Sequence, residues 1–226
     1  MSPLNDAPDA DTGLVARLRE VCRHAVRTLS ASGSGVSVMT RDGTHGMAAA
    51  SDPGTEHLEE MQFMCGEGPC IDAFATRRPV LVPFLHKQAM NRWPAYGPAV
   101  RSVGVRAVFA FPLQVGSARL GVLDVFRIRA GVLSAAEITQ ALAIADLAVN
   151  ALLDGTANAS DGSDGLDGAI ENRAELFQAQ GMVMVQLGVT ITEAMLRIRA
   201  HAYAENRRLS EVATDIVARR LIFDRP

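Results

Sequence analysis

Two groups of residues in this sequence are of types that do chemistry. The first is CGEGPC, Cys65 to Cys70, in which two thiols bracket a Gly-rich turn. Such a pair can hold a metal, cycle between thiol and disulfide, or supply a nucleophile. A zinc site wants four ligands, usually with shorter paired spacings, and no second Cys/His pair stands at a suitable distance, so no metal is expected. The remaining cysteine, Cys22, lies far upstream, and an odd set of three does not suggest a disulfide framework. The second group lies near the C-terminus. Arg199, Tyr203 and Asn206 recur at helical spacing and Arg207 and Arg208 follow at once. Unstacked bases rest on aromatic and guanidinium planes, amides read base edges, and Arg holds phosphates. The bland alternative is that Tyr203 packs and the arginines form a solvated face. Arg197 and His201 occupy the other flank of the same helix. His201 has no nucleophile near it in sequence, so no catalytic residue is expected.

The elements that must position these groups can be read from periodicity. Leu14, Leu18, Val21, Ala25 and Leu29 mark a helix from about Gly13 to Ser30. GVSVMT is a short strand, and Asp42-Gly43 is a hairpin turn after it. Residues 54–64 read as a helix, GEGP as a tight loop, Cys70–Arg77 as a short helix and PVLV as a strand. RAVFAFPLQVG and ARLGVLDVFRI form an antiparallel pair around Gly116-Ser117, and Ser134…Glu137 opens a helix running to Leu153 as a capping box. This order describes an α+β domain built on one antiparallel sheet flanked by helices. Leu152 to Ala169 is dominated by Gly, Ser, Asn and Asp, and residues 154–168 are expected to be a flexible acidic linker.

Beyond the linker, residues 169–222 fit three helices. The first carries Ile170, Ala174, Phe177, Gly181, Met184 and Gly188 as a heptad-like seam, while Met182 to Val185 point in four directions. A helix apolar all round is expected to meet its own bundle on one side and a partner on the other. Gly181 costs about 1 kcal/mol against Ala, a cost that close helix approach would offset. The second helix runs from Thr190 to about Asn206 and the third from Ser210 to about Arg220. So small a bundle has little core, which makes a homodimer the expectation.

At 226 residues, with 48% hydrophobic and 21% charged residues, the chain is globular rather than disordered. No run approaches the ~18 apolar residues of a membrane span, and the acidic N-terminus lacks the basic region of a secretory signal, so a cytoplasmic protein without membrane contact is expected. The net charge of −3 gives no general attraction to nucleic acid. Residues 1–168 hold 14 basic and 18 acidic groups; residues 169–226 hold 8 and 7, and all eight basic groups there are Arg. Lys87 is the only lysine in the chain. That bias fits a GC-rich genome, although Arg is also the better fork for phosphates and base edges.

The words FMCGEGPCIDAFATRRPVLVP, RWPAYGPA, VRAVFAFPLQVG and RLGVLDVFR, in this order, make residues 14–153 resemble a GAF domain. The resemblance implies a sensory or dimerising module with a pocket between sheet and helical insertion. Phe63, Cys65, Cys70, Trp93, Tyr96 and Phe109 are expected to line or approach it, for a small-molecule or redox signal that the residues do not identify. The tail, from NRAELFQAQGMVMVQLG to LSEVATDIV, resembles an ANTAR domain over residues 169–222, with its Ala179/Gly181 pair and closing LSEVA. The resemblance implies an RNA-binding transcription antitermination regulator of actinobacterial type, without cofactor or enzymatic activity, acting on dual stem-loops in nascent transcripts. Arg173, Gln180, Arg199, Tyr203, Asn206, Arg207 and Arg208 are the RNA-contact candidates. Many members of that family carry Lys where this chain has Gln180, so any phosphate contact there lacks charge.

Other classes remain in view. GAF-fold free-methionine-sulfoxide reductases use cysteines near a Gly-rich loop, but Cys22 lies in the N-terminal helix, away from the loop. A redox sensor using Cys65 and Cys70, a DNA-binding helix-turn-helix in the tail, and a protein-interaction adaptor are the further alternatives. The tail's balance of only +1 disfavours duplex binding.

Overall fold

Alternation along two central strands decides how the larger part of the chain is layered. In β4 (Ala107–Val115), Ala107, Phe109, Phe111 and Leu113 are buried on one face, and Val108 and Ala110 on the other. In β5 (Ala118–Arg127), Leu123 and Val125 join the first face and Val122, Asp124 and Phe126 the second. A sheet apolar on both sides needs a cover on both sides. The computed structural model, which describes residues 13–39, 45–86, 91–158, 167–205 and 207–224, supplies one.

The sheet has five strands in the order β2-β1-β5-β4-β3, every neighbouring pair antiparallel. Its remaining members are β1 (Gly33–Met39), β2 (His45–Ala50) and β3 (Val80–Val82). The expected turn at Asp42-Gly43 lies outside the described residues; β1 and β2 on either side of it do pair antiparallel. Strand β1 starts two residues earlier than the GVSVMT reading, because Gly33 and Ser34 pair with Phe126 and Val125 of β5.

One face of the sheet is covered by α1 (Leu14–Thr28) and α5 (Ala135–Asn158), which contribute Leu14, Leu18, Cys22 and Ala25 and Ala141, Ile144, Ala148 and Leu152. The capping box that opens α5 is formed: the Ser134 hydroxyl accepts from Glu137 N–H at 3.2 Å, and the Glu137 carboxylate accepts from Ser134 N–H at 2.7 Å. The other face is covered by α2 (Pro53–Cys65), α3 (Pro69–Thr76) and α4 (Tyr96–Ser102). Helix α2 begins where Asp52 accepts from Thr55 N–H at 3.0 Å, with Pro53 in its first turn.

Two expectations change here. Helix α5 continues to Asn158 and the next helix begins at Asp167, so both ends of the expected linker are helical, and residues 159–166 lie outside the described ones. Contacts with α1, which local composition does not reveal, accompany the extension of α5: Asp154 lies 3.9 Å from Arg17, and Gly155 packs against Leu14. Segment Ala135–Gly155 is also apolar and long enough to span a bilayer by length and composition, although its inner stripe is spent on the sheet.

The tail is a three-helix unit of α6 (Asp167–Leu187), α7 (Ile191–Ala204) and α8 (Leu209–Val217). Its core joins Leu176, Ala179 and Val183 to Ala194, Met195, Ile198 and Ala202 and to Leu209, Val212, Ala213 and Ile216. Gly188, at φ +70°, ends α6, and the Thr190 hydroxyl accepts from Glu193 N–H to start α7. The buried face of α6 is Leu176, Ala179 and Val183, and the seam expected to meet a partner is left largely uncovered. Ala174 and Gly188 are exposed, Phe177, Gly181 and Met184 are half-buried, and Val185 is 71% exposed. A Cβ at Gly181 would touch nothing within 4 Å, so close approach inside this chain does not explain that glycine. The bundle covers only one side of α6, and periodicity could not say which side of an all-apolar helix that would be.

Candidate nucleic-acid interface

The C-terminal arginines are placed by the junction between α7 and α8. Ala194, Met195, Ile198 and Ala202 turn inward, which sets Arg199 and Tyr203 on one flank of α7. Tyr203 is 57% exposed, its ring open to solvent. Asn206 lies outside the described residues, as does the side chain of Arg173 on α6. Arg207 is committed inside the tail: its guanidinium donates to Asp215 at 2.5 Å and lies 3.9 Å from Glu211.

Gln180 takes a different position from the one expected. It is buried in the bundle and donates to the Ile191 carbonyl at 2.8 Å, tying α6 to the first turn of α7. An amide held this way braces the two helices and is not an exposed contact. His201 packs its ring edge-on against Phe223, with centroids 5.6 Å apart, as a surface packing residue. Arg197 pairs with Glu193 one turn back.

The remaining two arginines face the first domain. Arg208 Nε lies 3.2 Å from Glu60 Oε2 on α2. Arg199 lies over the turn that ends α2: a Cβ on Gly66 would come within 2.7 Å of its Nη1. Gly66 sits at φ +68°, where a residue without a side chain is favoured, and here the missing side chain also makes room for the guanidinium. Burial lowers the pKa of Arg199, Cys65 beside it acts in the opposite direction, and the buried Nε has no hydrogen-bond partner. Met64 packs into the tail's core, and His57, Glu60, Met61, Met64, Arg207 and Arg208 surround a cleft of about 270 Å³. Of the four described candidates on this flank, Tyr203 is open, Arg207 is paired within the tail, and Arg199 and Arg208 are engaged by α2. Sequence reasoning missed Glu60, Met64 and Gly66. Their signal is weak, because nothing in α2 distinguishes a solvent-facing Glu from one aimed at another domain.

The residues expected at the pocket of the first domain divide between the two faces of the sheet. Phe63, Cys70, Trp93 and Tyr96 are buried under α2, α3 and α4, with Cys65 packed at their margin. Phe109 is a correction. Strand alternation turns it to the opposite face, under α1 and α5, where Arg127 lies 5.5 Å from its ring centre. Trp93 Nε1 donates to Asp72 at 3.0 Å. The thiols are poor nucleophiles: burial and Glu67 push Cys65 up to about 11, burial and Glu59 push Cys22 up to about 12, and burial with Asp124 and Glu59 pushes Cys70 well above the usual thiol range. A reactive cysteine needs a depressed pKa, so this environment disfavours the reductase and redox-sensor readings.

The fold and the sequence now meet known families. The GAF domain family matches residues 12–153, and the chain belongs to it. Beyond that domain, residues 164–217 match the ANTAR domain. A sensory module is thereby joined to an RNA-binding antitermination module, which is the architecture of a signal-transduction regulator. Among solved structures, a domain of a protein assigned as a two-component sensor histidine kinase from Sinorhizobium meliloti 1021 aligns at TM-score 0.51 and 16% identity, covering 65% of this chain and 95% of that one. The GAF domain of the Acinetobacter phosphoenolpyruvate-protein phosphotransferase aligns at TM-score 0.51 and 11% identity, covering 67% and 89%. These likenesses speak for the fold alone. No curated protein sequence matches the chain.

Proposed function

We propose that this protein is a cytoplasmic transcription antitermination regulator whose tail binds paired stem-loops in nascent RNA. Binding would favour an antiterminator fold over a terminator hairpin. The observation that carries this reading is the grouping of Arg199, Tyr203, Arg207 and Arg208 on one flank of the ANTAR domain. It offers a stacking plane and guanidinium groups without a long basic stripe, a chemistry suited to unstacked loop bases more than to a duplex. Asn206 and Arg173 extend the surface in our reading. A second copy of the chain, paired through the half-exposed seam of α6, would present two such flanks to two loops.

In the conformation described, Arg208 pairs with Glu60 of α2, and Arg199 lies over Gly66 at the end of that helix. We infer that the GAF domain restrains the tail and that its signal releases them. Competition between a tandem stem-loop RNA and duplex DNA of equal length, at one fixed salt concentration, tests the reading. The RNA is expected to win, and preference for the duplex overturns it.

A further inference from the structure

Beneath α2, three side chains from separate elements converge in the apolar layer: Glu59 from α2, Cys70 from α3 and Asp124 from β5. All three are fully buried, and one ligating atom of each lies within 4.8 Å of the others. A further polar atom joins them. The Tyr96 hydroxyl is buried without a hydrogen-bond partner, and Asp124, Glu59 and Cys70 are the groups that act on it electrostatically.

Their neighbours hold these side chains in place without neutralising them. The Ser37 hydroxyl donates to Glu59 Oε2 at 2.8 Å, and the Glu59 carboxyl group also faces that of Asp124. Gln62 Nε2 donates to Asp124 Oδ2 at 3.1 Å, and the rest of that carboxyl group faces the Cys70 thiol and the Glu59 carboxyl group, with which it interacts directly. The carbonyl of the same Gln62 accepts from Cys70 N–H at 2.8 Å, fixing the start of α3. Two glycines make the room: a Cβ at Gly35 would strike Glu59 Oε1 at 2.7 Å, and one at Gly68 would strike Gln62 Oε1 at 2.4 Å. Among the described residues no Arg, Lys or His pairs with either carboxyl group. Buried acids are costly unless something positive or a shared proton compensates them.

We propose that Glu59, Cys70 and Asp124 form a buried site for a divalent first-row transition cation, with the Tyr96 hydroxyl beside it. Metal–sulfur and metal–oxygen bonds of about 2.3 and 2.0–2.2 Å place ligand atoms about 3.4–3.6 Å apart around a tetrahedral ion, inside the 4.8 Å limit that the three atoms respect, so a modest closing of the side chains completes the site. The thiolate selects zinc-like or ferrous ions over Mg²⁺ and Ca²⁺. Ser37 and Gln62 act as the outer partners that orient ligating carboxylates. Cys70 enters as a thiolate, its proton leaving to solvent, with no change of oxidation state. The fourth position falls to Tyr96 or to water. This site stands independently of what the tail binds.

The test uses the full chain, stripped of metal by a chelator and titrated slowly with Co²⁺ and then Zn²⁺. One Co²⁺ per chain is expected, with thiolate-to-cobalt charge-transfer absorption that Zn²⁺ abolishes. The absorption is expected to survive Cys65→Ser and to vanish in Cys70→Ser. Asp124→Asn, an isosteric change, should weaken binding at least tenfold, and Mg²⁺ should not compete. Absence of stoichiometric binding, absorption that follows Cys65, or undiminished binding by Asp124→Asn would overturn the site. The last result would leave the two carboxyl groups as a pair sharing one proton.

Discussion

Tyr203 and Arg207 sit one turn apart and do different work. The tyrosine ring is open, so truncating it removes a stacking plane and leaves the fold intact. Base–aromatic stacking contributes about 1–3 kcal/mol per base, so Tyr203→Ala should weaken stem-loop binding about five- to 150-fold with an unchanged melting temperature. Fluorescence anisotropy and thermal denaturation on the same sample check both halves. Arg207 is bound to Asp215, which in turn accepts from Arg220 at 2.7 Å, so its charge is partly spent on joining α8 to the α7 end. The sequence showed that these residues share a flank but not how far each is committed. Helical spacing fixes direction, whereas the acidic partners come from the next helix and from another domain. Asp124 carried a stronger unread signal: it is the one acid in a run, Gly121 to Phe126, that is otherwise wholly apolar. A charge at a core-facing strand position needs a partner, and only the fold supplies Glu59 and Cys70.

At the scale of elements, period-two and capping signals were the most legible. Strands β4 and β5 and the Ser134 capping box follow from local chemistry, and all of them form. The start of α5 also permits a pH prediction. The Ser134 N–H, Arg127 and the Ser134 hydroxyl hold the Glu137 carboxyl at about 2, below its usual value of 4.5. A depressed carboxylate stabilises the fold above its unfolded pKa, and that contribution is lost as pH falls through the folded one. Glu137→Gln should therefore cost about 1 kcal/mol at pH 7, with the gap from the parent closing between pH 4.5 and 2. Urea denaturation at several pH values measures it, and a gap independent of pH would refute the pairing. Helix α6 was the least legible element. Its apolar residues face every direction, so the buried stripe Leu176-Ala179-Val183 became visible only once α7 and α8 were in place.

Across the whole molecule, α2 is the connecting part. Glu59 points into the buried acid cluster, and the next residue, Glu60, reaches Arg208 of the tail. The end of the same helix lies under Arg199. Under the proposed function, a change in the interior of the GAF domain would reach the flank assigned to RNA through the rotation or displacement of this one helix. The two carboxylates of α2 are expected to act separately: altering Glu59 should perturb the interior, whereas altering Glu60 should release the tail and leave the interior as it is. The most direct measurement compares the affinity of the parent protein and Glu60→Ala for a tandem stem-loop RNA at one salt concentration. Losing a half-buried ion pair worth about 1 kcal/mol should free Arg208 and tighten binding about fivefold, while Arg208→Ala weakens it. Glu60→Ala binding no tighter than the parent would contradict the restraint of the tail by α2.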